Sequence, residues 1–221
     1  MEVIYFAEVA LLSGHQFLAL SGFSLIAAAY GLARFSWGLQ LPEVIRDIPM
    51  SSTLVGALSA LSFAAYGLAS VASSLCTART GPRLPALLAG LFAILGLVVL
   101  SQASGPLWLA VGVIFAGISS GLVSPPMAEA VNRDVTPPKR PGVNTVINAG
   151  TGGGIILSAL AVLLMPGHWR EIWLLFAGLS KAALWRGAPC PGARRVIVLR
   201  LKLSLQRFGG PRCVRRLLSP C

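Results

Sequence analysis

Charge is what this sequence lacks most. Only 11% of its 221 residues are Asp, Glu, Lys or Arg, less than half the share of an ordinary soluble domain. Residues 48–78, 84–128 and 141–167 hold no formally charged residue at all. Runs of that length exclude a water-soluble fold. They also exclude a membrane barrel, whose strands would show short alternating segments. Histidine is nearly absent: His15 and His168 are the two present, and both fall near expected membrane interfaces. With no acid at membrane depth either, no dyad or metal cluster can be assembled, which argues against an intramembrane enzyme. Neither cofactor nor metal is expected. The four cysteines, Cys76, Cys190, Cys213 and Cys221, match no zinc spacing and no paired framework. They read as free thiols on a cytosolic face. The N-terminus has no basic region ahead of an apolar run, so no cleavable signal is expected.

What is present is apolar. Hydrophobic residues make up 55% of the chain, with a mean hydropathy of +0.77. The reading is an all-α integral membrane protein of about six transmembrane helices. The formal charge of +11 is concentrated in one place: residues 1–180 carry eight bases and seven acids, whereas residues 181–221 carry ten bases and no acid. The body therefore gives no reason to expect a nucleic-acid partner. The tail suits an anionic lipid surface, at about 1 kcal/mol per cation.

Taken in order, residues 1–16 are too short and too acidic, with Glu2 and Glu8, to span alone, and read as an interfacial lead-in broken at Gly14-His15-Gln16. Residues 17–185 read as a six-span bundle, with spans at about 18–41, 53–75, 84–100, 107–130, 144–164 and 169–185. The first span is expected to end at Pro42-Glu43. Arg79-Thr-Gly81-Pro82-Arg83 and Ser101-Gln-Ala-Ser-Gly-Pro106 are turns built on breakers. With both termini cytoplasmic, the inside loops hold Arg79, Arg83, Arg133, Lys139 and Arg140 and the outside loops Arg46 and Arg170, as the positive-inside rule requires. The sixth span meets Lys181 after nine apolar residues and is short. Residues 186–221, rich in Arg, Pro and Cys, are expected to lack defined structure.

The chain is organised around Arg34, the one formal charge between Leu18 and Leu41. An arginine at the centre of a span costs roughly 3 kcal/mol on insertion scales, so it marks a candidate site. A guanidinium binds a carboxylate bidentately, which makes an anionic small solute a candidate ligand; a neighbouring carbonyl or tyrosine is the other candidate partner. Helical spacing groups further polar residues: Ser59, Ser62 and Tyr66 on span two, Ser120 and Ser124 on span four, and Asn144, Asn148 and Thr151 on span five. With Tyr30, these either glue helices or line a cavity. Gly150, Gly154 and Ser158 form a small-residue ridge suited to close helix packing. Pro125-Pro126 should kink span four, where neighbours or a cavity can satisfy the freed carbonyls. Glu129 lies within reach of Arg79 or Arg83, or among headgroups.

From Ser21 to Ser180 the sequence resembles the N-terminal half of a major facilitator superfamily transporter, of a bacterial permease branch. The residues that carry this are Gly31-Leu-Ala-Arg34-Phe followed by Leu41-Pro42, and a loop, Ser74-Leu-Cys-Thr-Ala-Arg79-Thr-Gly81-Pro-Arg83, similar to the family's cytoplasmic signature. Gly117-Ile-Ser-Ser-Gly121, the block from Asn144 to Gly154, and His168-Trp169-Arg170 with Trp173 add to it. Arg79, Gly81 and Arg83 match the signature; Ser74 and Ala78 replace its usual Gly and Asp. The Pro of the antiporter motif in span five is missing. The resemblance implies secondary transport of a small solute, coupling to H+ or another ion, and a bacterial inner-membrane location. It also implies twelve helices in two halves. Six are expected here, so the chain reads as a half that pairs with a second half or with itself, or as a membrane fragment that only associates with other helices. The abrupt change after Ser180 is expected to reflect a shift of reading frame.

Overall fold

The computed structural model describes residues 14–187. Most of the expected lead-in, and the basic tail from residue 188 with Cys190, Cys213 and Cys221, lie outside the described residues. Six helices joined by short turns make up the described chain, with no strand among the described residues. They are α1 (Gly14–Asp47), α2 (Ser52–Thr80), α3 (Arg83–Ser101), α4 (Pro106–Asp134), α5 (Arg140–Leu164, entered through the single 3-10 turn Pro137–Lys139) and α6 (Trp169–Gly187). Residues 14–34 of α1 and beyond form one unbroken rod, in which Ala27–Phe35 winds as a π-helix between α-helical ends.

The first five helices are long and apolar enough to cross a membrane. The sixth runs for 19 residues but carries Arg170, Glu171 and Lys181, which dilute its apolar run. Two boundaries differ from expectation. Gly14-His15-Gln16 does not interrupt the chain but forms the first turn of α1. Nor does Pro42 end the first helix, which continues to Asp47. A proline removes one intrahelical bond, that to Gly38, and Gly38 is exposed, so one lost bond does not stop a helix held on its other faces. The turns follow the breakers. The Ser51 hydroxyl caps α2 by accepting from the Leu54 amide at 3.2 Å, and Gly81 closes that helix with φ of +81°, a conformation glycine adopts without strain.

α2 lies along α4, α4 along α3, α3 against α6, and α5 against α1. Two apolar cores result. One surrounds Trp37, Leu97, Leu109, Trp173 and Phe176; the other gathers Leu25, Ile26, Val123, Val131 and Ile147. In lipid such contacts are favoured by close packing rather than by escape from water, which places small residues at helix crossings. The contact between α1 and α5 shows it. A Cβ on Gly154 would stand 2.6 Å from the Ala27 carbonyl oxygen and 2.8 Å from the Gly31 Cα. Ser158, one turn on and fully buried, donates to the Gly31 carbonyl at 3.2 Å.

Candidate functional site

Arg34 sits in the last turn of the π-helical segment. Such segments widen the turn and often coincide with functional sites. Side chains support this one: Ser158 bonds the Gly31 carbonyl and Ser36 the Leu32 carbonyl. Arg34 itself is 9% exposed. Its guanidinium carbon lies 4.2 Å from the centroid of the Tyr66 ring and 4.4 Å from that of Phe63. Phe35 and Tyr30 follow at 5.6 and 6.0 Å. Four aromatic rings therefore surround the cation. Among the described residues it has no ion-pair partner, and its buried Nε has no hydrogen-bond acceptor.

Aromatic faces attract a cation by up to about 2 kcal/mol each where desolvated. Removing an ion from water costs several kcal/mol, so the rings offset that cost in part. A guanidinium has five N–H donors that rings satisfy poorly. The site is thus poised for an acceptor, and a carboxylate supplies two charge-assisted bonds at once. One wall of the cage is itself on the surface: Phe63 is 61% exposed.

Hydroxyls border the cage. Tyr30 Oη and Ser124 Oγ share a hydrogen bond at 2.8 Å, and the Tyr30 hydroxyl donates to that of Tyr66 at 3.5 Å. The fold thus gathers Tyr30, Arg34, Tyr66 and Ser124 from α1, α2 and α4. It does not bring the other candidates to the same place. Ser62 is buried at the α2–α4 crossing, its carbonyl against Gly117. Ser120 is fully buried and donates to the Gly117 carbonyl of its own helix at 3.0 Å. Asn148 is exposed and donates to the Asn144 carbonyl at 2.9 Å, and neither asparagine bonds to Arg34. Phe35 enters the sequence reading only as part of the Gly31-Leu-Ala-Arg34-Phe motif, and Phe63 not at all, because an aromatic in a membrane helix looks like any lipid-facing residue.

A second polar region joins α1 to α6. With its amide oriented to suit its neighbours, the buried Gln40 donates to the Trp169 carbonyl and accepts from Trp173 Nε1, each at 3.0 Å. Trp173 Nε1 also approaches Ser36 Oγ at 3.2 Å. Near the end of α1, Asp47 accepts from Trp169 Nε1 at 3.0 Å and from Arg170 at 2.8 Å. Arg170 in turn lies over the Trp169 ring, 3.8 Å from its centroid, and donates to the Ala103 carbonyl.

At the opposite ends of α2 and α4 lies a cavity of about 570 Å³ bordered by Arg79, Gly81, Glu129, Asn132 and Arg133. Among the described residues Glu129 pairs with neither Arg79 nor Arg83. Arg140 closes α4 instead, donating to the Asn132 carbonyl at 2.7 Å and the Val135 carbonyl at 3.0 Å, groups a helix end leaves unpaired.

Comparison with known proteins identifies the family. The family described as "Uncharacterised MFS-type transporter YbfB" matches residues 26–192, which includes every helix from the π segment onward. The chain is also similar to human Monocarboxylate transporter 11, with 28% identity over 165 residues. That match covers 74% of this chain and 35% of the human protein, so the chain spans about a third of the length of that curated relative.

Proposed function

The chain belongs to the family of MFS-type transporters described under YbfB, and from that premise we propose that it serves membrane transport of a small, singly charged organic anion. Arg34 is the contact for the anionic group. One observation carries this reading: a caged guanidinium that has, among the described residues, no acid partner, and whose buried Nε has no hydrogen-bond acceptor. Charge balance narrows the class. Arg34 is the one formal charge from residue 18 to 41, and the uncharged runs 48–78, 84–128 and 141–167 add none. A monoanion brings the site to neutrality. A dianion leaves a net charge at membrane depth, and a cation leaves two like charges there; both are costly. The human relative, by its name a monocarboxylate transporter, supports the same class.

Tyr30, Tyr66 and Ser124 supply hydroxyls to a second solute oxygen. The apolar walls suit a hydrophobic body. Transport by rocking needs a second bundle, and the face that bears the exposed Phe63 over Arg34 is where it fits. A second copy of this chain or another six-helix partner would close it. Residues 18–41, 48–78, 84–128 and 141–167 hold no carboxylate, so a coupling H+ or other ion would be handled by that partner, by the acids at the helix ends, or travel with the solute. The end of the bundle that carries Arg79 and Arg140 faces the cytosol of a bacterial inner membrane in this reading.

The test uses purified full-length chain and radiolabelled benzoate as the probe, a rigid monoanion with an apolar body. Saturable binding is expected, weakened by more than about tenfold in Arg34→Gln, the worth of one charge-assisted pair. Arg34→Lys should recover part of it, since the charge remains but the planar fork does not. Equal binding by all three proteins would remove Arg34 from the site.

A further inference from the structure

A proline inside a helix deletes one N–H and leaves the carbonyl four residues earlier without its donor. In α4, Pro125 and Pro126 stand in succession, so the carbonyls of Gly121 and Leu122 are both orphaned. An unpaired carbonyl in a membrane interior costs several kcal/mol unless a neighbour supplies a donor. The neighbour is α2. Ser70 Oγ donates to the Gly121 carbonyl at 3.3 Å, and Ser73 Oγ donates to the Leu122 carbonyl at 2.8 Å. Ser73 is fully buried. The two serines are one turn apart and continue the face that bears Tyr66. Backbones there leave no slack: a Cβ on Gly121 would meet the Tyr66 carbonyl and stand 3.0 Å from the Ser70 amide nitrogen.

We propose that Ser70 and Ser73 are positioning residues, which fix the register of α4 on α2 and thereby hold Ser124 against Tyr30, beside the Arg34 cage. The proposal rests on the reading of that cluster as the solute site. Serine glue at a helix crossing adds stability in any register. This pair is matched one to one with the two carbonyls that the prolines free, so a slip of one residue breaks both bonds. The residues it places are adjacent in chain: Ser124 comes two residues after Leu122, and Tyr66 four before Ser70.

The experiment separates register from stability. In Ser73→Ala/Pro126→Ala, alanine at 126 returns an N–H to the Leu122 carbonyl, so α4 regains its own bond while the stronger, Ser73 tie to α2 is gone and the 3.3 Å Ser70 contact alone remains. This pair is placed in full-length chain with Ser124→Cys and with Cys76, Cys190, Cys213 and Cys221 changed to Ser, and alkylation by N-ethylmaleimide is timed. The rate at position 124 should change by about three- to tenfold, the worth of one net hydrogen bond, with thermal stability kept. Ser73→Thr, which retains the hydroxyl, should keep the parent rate. An unchanged rate in the folded double variant overturns the proposal. In a second arm, with Ser124 and the cysteines intact, the double variant should bind benzoate about three- to tenfold more weakly, and parent affinity there overturns it equally. If the parent binds no benzoate, the solute reading fails, while the alkylation arm still decides the positioning role.

Discussion

A guanidinium at membrane depth must find partners or leave, and Arg34 finds rings. Its nearest ring belongs to Tyr66, whose face and hydroxyl do different things: the face lies 4.2 Å from the cation, and the hydroxyl meets Tyr30 at 3.5 Å. The two are separable. Tyr66→Phe keeps the face and should melt within about 0.5 kcal/mol of the parent, because a 3.5 Å contact is a weak bond. Tyr66→Leu removes the face and should destabilise by about 1–2 kcal/mol, read as a lowered midpoint in detergent melting curves. Arg34 stands out in sequence because a lone charge in an apolar run is costly, and of the partners the sequence offers for it the structure supplies tyrosine rings. Phe63 does not stand out, since nothing in a sequence separates a ring over a cation from a ring in lipid. Ser120 misled by its spacing. It shares a helix face with Ser124 by count, yet its hydroxyl turns back to the Gly117 carbonyl, an option every serine in a helix has.

Between elements, backbone approach decides more than side-chain character. Gly152 and Gly154 are alike in sequence and unlike in place: a Cβ at Gly152 meets nothing within 4 Å, whereas one at Gly154 strikes the backbone of α1 at Ala27 and Gly31. Valine at 154 should therefore destabilise by about 1–3 kcal/mol or more, the cost of overpacking. Valine at 152 should change the melting midpoint little. The same contact bears on Arg34, because Gly31 lies in the π segment that carries it. The α1–α6 contact is polar instead. Gln40→Leu leaves the Trp169 carbonyl without the amide that reaches it at 3.0 Å, and should cost about 1–3 kcal/mol. Helix positions were readable from uncharged runs and breakers, which reflect lengths that a bilayer imposes. The continuation of α1 through Pro42 was not readable, because it depends on tertiary support at Val44 and Ile48. The serine partners of Pro125 and Pro126 were hidden for the same reason: the prolines announce orphan carbonyls, but the donors come from another helix.

At the scale of the molecule, the two ends of the bundle use their cations differently. At the end bearing the α1–α2 and α5–α6 turns, Arg46 pairs with Glu43 at 3.0 Å and Arg170 with Asp47 at 2.8 Å. At the other end, Arg79, Arg83, Arg133 and Lys139 have no acid partner among the described residues, and Arg140 is spent on helix carbonyls. Orientation follows the number of bases in short loops rather than net charge, and that count already favours the second end as cytosolic. The pairing adds a separate term. Free cations at that end attract anionic lipid by about 1 kcal/mol each near the surface, while the paired arginines at the first end attract it far less. Both terms act in one direction. In a chain whose own cysteines are replaced by serine, a membrane-impermeant maleimide added to intact cells should modify His168→Cys, in the exposed α5–α6 turn, and leave Lys139→Cys unmodified until the cells are opened. The reverse pattern would invert the bundle and move the cavity beside Arg79 and Arg133 to the external face.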